Sequence, residues 1–184
     1  MAYDSPWAGI TGLVHELKQC EAPGHTAAAL VLAYVCIDTM AYLALPPDKS
    51  EQTNKDFIAW VDTYLKAHAD QPYQYRGLDV YAARCGVLHA FRRRAYTERI
   101  PISASSATTP GGKHFIVEAP KTVLIGTVSL LNDIVIAIED FLKACEADAT
   151  LRARVVARLP NLLQTFPIIT PYPSTPIAEP PSRP

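Results

Sequence analysis

The sequence predicts an all-α fold: a helical bundle of about five to six helices, with a small β-hairpin insertion and a disordered Pro-rich C-terminal tail. Three observations predict it. Apolar residues recur at three- and four-residue spacing through most of the first 166 positions. The stretch 99–120 breaks that period with two short β-prone runs around a Ser/Thr/Pro/Gly loop. From Pro167 onward, seven of 18 residues are proline, too many for a further helix. The 184 residues therefore divide into one helical domain, 1–166, with a hairpin at about 99–118, and a tail, 167–184, extended or disordered.

Composition bounds the function. Hydrophobic residues make up 49% and charged residues only 19%, enough apolar material for a real core. Net charge is −1 and the pI near 6.5, so any nucleic acid must be held by a local basic patch. Cys20, Cys36, Cys85 and Cys145 are widely spaced, with no Cys-x-x-Cys pair and no histidine at finger spacing. No metal site is expected, and the cysteines read as reduced, cytoplasmic core residues. No Gly-rich phosphate loop, nucleophile elbow or His-Glu-x-x-His is present, so no cofactor is expected. No signal peptide is expected either.

The first helix is expected over 4–20, capped by Asp4 or Ser5 with Pro6 at its first position. The second runs over 26–45 and stops at Pro46-Pro47. In 27–45, 17 of 19 residues are apolar, long enough to span a bilayer. Six alanines, the internal Asp38 and the lack of flanking cations favour a helix buried within a bundle, not in a membrane. Asp38 then needs a partner, Arg84 or His89, or must point out through a gap between helices.

A third helix is expected over 54–69, with Phe57, Ile58, Val61, Tyr64 and Leu65 on one face. Tyr73 and Tyr75 in the next loop either frame a pocket or are ordinary loop aromatics. The fourth helix starts near Gly77. Beyond the hairpin, which carries His114, helices are expected over 121–147 and 148–164, with Pro160 bending or ending the last one.

The fourth helix carries the motif Arg84-Cys85-Gly86-Val87-Leu88-His89. Five positions on a straight helix rotate by roughly 140° and rise about 7.5 Å, so the two side chains do not share one stripe. A permanent cation near a group that titrates around neutrality suits phosphodiester cleavage. The same residues near a helix C-terminus also serve to complement the dipole. Arg92, Arg93, Arg94 and Arg99 form the densest basic cluster and either solvate that helix end or hold a phosphate backbone.

Arg-x4-His late in a fourth helix, with the apolar Ile37-Asp38-Thr39-Met40-Ala41 segment and the later hairpin, resembles the HEPN domain superfamily over roughly residues 10–147. The surrounding Asp-x-Tyr-Ala-Ala-Arg-Cys-Gly-x-Leu-His looks like an uncharacterised bacterial branch of it. The resemblance implies a metal-independent endoribonuclease in a toxin or defence context, acting as a homodimer on RNA, with an antitoxin or regulatory protein as a further partner. It implies that His89 is general acid or base, Arg84 stabilises phosphoryl charge, Asp38 orients one of them, and Arg92, Arg93, Arg94 and Arg99 guide the strand. The alternative is a non-catalytic HEPN-like module binding a nucleotide or a protein. Cys85 stands where active members often carry a polar residue. Phe91 replaces a tyrosine that some toxins present to a modifying partner.

Overall fold

A computed structural model describes residues 6–21, 24–90, 102–105, 115–118 and 121–162. Six helices form a bundle: α1 (Ala8–Glu21), α2 (Thr26–Leu43), α3 (Asn54–Tyr64), α4 (Gly77–Ala90), α5 (Thr127–Ala147) and α6 (Ala149–Arg158). A single 3-10 turn, Leu159–Asn161, follows α6.

α2 is the hub of the bundle. It packs against α1, α3, α4, α5 and α6, and buries Ala29, Ala33, Cys36, Ile37, Met40 and Leu43 along one broad stripe. Leu30, Tyr34 and Ala41 widen that stripe to about half of the helix, and the apolar character continues over the rest with Leu32, Val35 and Tyr42. By length and composition alone α2 would pass as a membrane span, but half of it is covered by the rest of the protein. Alanines on α2 let neighbouring helices come close, and Phe57, Trp60 and Phe141 fill the space between α3 and α5. Cys36, buried in this layer, has its thiol pushed up to about 12, chiefly by burial. All four cysteines are free thiols.

Three short strands stand beside the helices: β1 (Ile102–Ser105), β2 (Phe115–Glu118) and β3 (Lys121–Gly126), in the order β1-β3-β2. The hairpin expected between the first two runs is displaced along the chain. β2 and β3 form it, pairing Phe115 with Leu124 and Glu118 with Lys121, while β1 adds to β3 in parallel. β3 occupies residues assigned by periodicity to the start of the fifth helix. Lys121-Thr122-Val123-Leu124-Ile125-Gly126 is a short apolar run that fits either period. Its β-branched content and the alternate burial of Val123 and Ile125 are strand properties, and α5 begins only at Thr127.

Two other helices end earlier than their patterns suggest. α3 stops at Tyr64 because Leu65 is extended, and Leu65 and Ala67 then bury alternate side chains. α6 stops at Arg158, where Pro160 in the following turn cannot donate to the ladder. The start of α6 is capped by Asp148, whose carboxylate accepts from the Thr150 and Leu151 amides at 2.8 and 3.1 Å. α1 begins at Ala8; Asp4 and Ser5, the expected caps, lie outside the described residues, as do His114 and the tail 167–184.

The start of α4 is set by close approach. Gly77 donates its amide to Asp62 Oδ1 at 2.6 Å, and a Cβ there would stand 2.5 Å from the Ile58 carbonyl oxygen. Only glycine lets α4 lie this near α3, and that closeness brings the middle of α4 beside α2.

Candidate functional site

Asp38 leaves the apolar surface of α2 toward α4, and there it meets Arg84. Arg84 Nε donates to Asp38 Oδ2 at 2.8 Å, and Nη2 lies 2.8 Å from the same oxygen. Both side chains are partly exposed, at 21% for Arg84 and 24% for Asp38. Burial works against the guanidinium charge, but the hydrogen bond and charge of Asp38 outweigh it, and Arg84 is held above its ordinary pKa. Asp38 thus combines the two arrangements open to it in the sequence. It is paired, and it opens on solvent through a gap between helices.

That gap is a cleft of about 420 Å³. One wall is the Asp38–Arg84 pair. The other is Gln52, Thr53 and Asn54, where the loop after α2 turns into α3; Phe57 and Tyr81 lie between the walls. Their rings meet edge to face with centroids 5.5 Å apart. Gln52 reaches across, donating Nε2 to Asp38 Oδ1 at 3.3 Å.

The loop wall is braced at both ends. Asp56, in the first turn of α3, accepts from the Thr53 amide at 2.7 Å and from Lys49 Nζ at 2.7 Å. Burial alone would raise the Asp56 carboxyl; the Lys49 and Thr53 hydrogen bonds hold it down at about 2. From the other side, Arg158 of α6 donates to the carbonyls of Pro46 and Lys49 at 2.6 and 2.8 Å, and its guanidinium lies 5.4 Å from the Tyr42 ring centroid. The cleft thus has one wall of helix side chains and one of hydrogen-bonded loop.

The other expected site residues fall as follows. His89 lies on the backbone of α4, five residues beyond Arg84; its side chain is outside the described residues. Arg92, Arg93, Arg94 and Arg99, and also Phe91, lie outside them entirely. Cys85 is buried and belongs to the packing of α4. Tyr73 and Tyr75 meet edge to face, with ring centroids 6.3 Å apart. Tyr73 donates its hydroxyl to buried Asp79 at 3.0 Å, and Tyr75 donates to Asp133 of α5 at 2.8 Å. Burial, with the carboxylates adding to it, raises both phenols. Sequence reasoning missed the loop wall, because Gln52, Thr53 and Asn54 read as ordinary turn and cap residues. The available signal was that Pro46-Pro47 stops α2 only two turns after Asp38, so the next loop must return past it. Among the described residues, no group of three or more His, Cys, Asp or Glu side chains gathers as a metal site would require.

No family model, curated protein or solved structure matches the chain.

Proposed function

We propose that this chain is a metal-independent endoribonuclease of the HEPN type, cytoplasmic, working as a homodimer in a toxin or defence context. The observation that supports it best is the union of Asp38 with Arg84 on the wall of an open cleft, on the helix that continues to His89. A carboxylate that fixes a guanidinium pre-orients its remaining donors for the non-bridging oxygens of a phosphodiester. In the reaction the 2′-oxygen attacks the adjacent phosphorus and the bond to the 5′-oxygen breaks. His89 takes the 2′-hydroxyl proton or gives one to the departing 5′-oxygen. The products carry a 2′,3′-cyclic phosphate and a 5′-hydroxyl. Arg92, Arg93, Arg94 and Arg99 hold the strand through its phosphates, and an antitoxin or regulatory protein restrains the activity.

A second reading has a specific observation in its favour. Asp38 offsets the charge of Arg84, as it would if the pair were a strut in a non-catalytic module that binds a nucleotide or a protein. The two readings part in one assay. Purified protein is incubated with labelled single-stranded RNA and DNA in EDTA, beside His89→Ala. The ribonuclease reading expects cleavage of RNA alone, cyclic-phosphate ends, and loss of both in a folded His89→Ala protein. RNA left intact by the wild type, or equal cleavage by His89→Ala, contradicts it.

A further inference from the structure

Arg84 and Asp38 do not meet in the way such a pair prefers. A guanidinium and a carboxylate commonly pair fork to fork, with two parallel N–H···O bonds, one to each oxygen. Here Arg84 Nε and Nη2 both stand 2.8 Å from Asp38 Oδ2. Oδ1 is turned to the opposite wall of the cleft, where Gln52 Nε2 donates to it at 3.3 Å. Gln52 lies between two anchored residues of that wall. Lys49 gives its carbonyl to Arg158 and its ammonium to Asp56, and the Thr53 amide donates to Asp56. The Gln52 amide therefore reaches Asp38 from a loop tied to α3 and α6.

Turning Oδ1 away moves part of the carboxylate charge off the guanidinium. Asp38 then orients Arg84 while neutralising it less than a fork-to-fork pair would. Gln52 also gives Asp38 a second partner, so a phosphate oxygen can approach the guanidinium without stranding the carboxylate. We propose that Gln52 is a positioning residue: it holds Asp38 off the full fork of Arg84 and so keeps the guanidinium available to a phosphate. The inference rests on the ribonuclease reading, in which Gln52 acts through Asp38 and Arg84 and touches no reacting atom.

The test compares the full-length wild type with Gln52→Met and Gln52→Glu. The first keeps most of the side-chain length and removes the donor. The second keeps the shape and sets a carboxylate against Oδ1. Without the donor, Asp38 closes on Arg84 with one oxygen to each nitrogen. RNA cleavage in EDTA by either variant is expected to show kcat lower by at least about fivefold with KM within about twofold, because other residues hold the strand. Melting temperatures are expected to stay within about 3 °C of wild type, since Gln52 is partly exposed. Arginine side-chain NMR, with the Arg84 signal assigned from Arg84→Lys, reads the pair directly. Rotation of the Arg84 guanidinium about Nε–Cζ should slow by at least about twofold in Gln52→Met. Wild-type kcat in both variants, unchanged or faster rotation in Gln52→Met, or a melting temperature that falls in step with the rate would overturn the positioning role. The two proposals fail separately. His89-dependent RNA cleavage that both Gln52 variants leave at the wild-type rate removes only the role of Gln52. Slowed Arg84 rotation in Gln52→Met, with RNA left intact by the wild type, removes the ribonuclease and leaves Gln52 setting the geometry of the pair.

Discussion

Two arginine–aspartate pairs meet at α4, one at its start and one at its middle. At its first turn, Arg76 reaches Asp79 at 2.5 Å, only three residues away, and Asp79 is 2% exposed. Tyr73 adds its hydroxyl to the same Asp79 oxygen. In the middle of α4, Arg84 meets Asp38, 46 positions back, and both partners are partly open to a cleft. The first pair is local, buried on its acidic side and over-supplied with donors. It lies at the start of α4, beside the approach of Gly77 to α3. The second joins distant segments and faces solvent space. Asp79 takes its side-chain donors on Oδ2 in a buried setting, whereas Asp38, with Arg84 on Oδ2 and Gln52 on Oδ1, lies partly exposed on the wall of a cleft.

Substitutions around the two pairs should therefore separate stability from activity. The largest loss of stability is expected for Asp79→Ala, which strands the buried Tyr73 hydroxyl and frees Arg76. We expect about 2–3 kcal/mol, mostly from the hydroxyl, because Arg76 is more than half exposed and its ion pair is screened. Urea unfolding followed by circular dichroism measures it, and a loss under about 0.5 kcal/mol would break the contrast. Gly77→Ala comes next. Its new methyl group must push the Ile58 carbonyl away, at a cost of about 1–3 kcal/mol in the same assay.

Smaller still is Asp56→Ala, on the loop side of the cleft, with about 1 kcal/mol expected from the lost cap. This carboxyl also leaves a pH signature. Its folded pKa is depressed to about 2 from 3.8, so its contribution is complete above about pH 4 and fades as pH falls toward 2. Acid melts of wild type and Asp56→Ala should converge across that window, and parallel curves would contradict the assignment. Asp38→Asn is expected to cost least, under about 1 kcal/mol, since the pair it weakens is partly exposed.

The bundle was legible in the sequence because helical periodicity persists over long stretches. α2, α4 and the greater part of α5 could be placed from apolar spacing, proline stops and one glycine. β3 was not, since six apolar-rich residues fit both periods until a partner strand is present to choose between them. The pairing of Asp38 was half legible. A lone carboxylate on an apolar helix announces that it needs a partner, and Arg84 was among the candidates. The loop wall of the cleft was not legible. The role of Gln52 there depends on Arg158, more than 100 residues later, bracing the loop against α6. Tertiary bracing of that kind leaves no local pattern to read.

On the proposed ribonuclease reading, the Asp38–Arg84 pair acts on a ligand while the Arg76–Asp79 pair holds the fold. The most direct test measures the RNA cleavage rate in EDTA and the melting temperature together for Asp38→Asn and Asp79→Asn. For Asp38→Asn, cleavage should fall by tenfold or more while the melting temperature stays within about 4 °C of wild type. For Asp79→Asn, the melting temperature should fall further, and the rate below the melting transition should be nearly unchanged. Wild-type cleavage rates in Asp38→Asn, or an Asp38→Asn melting temperature as low as that of Asp79→Asn, would contradict the division of labour between the two pairs.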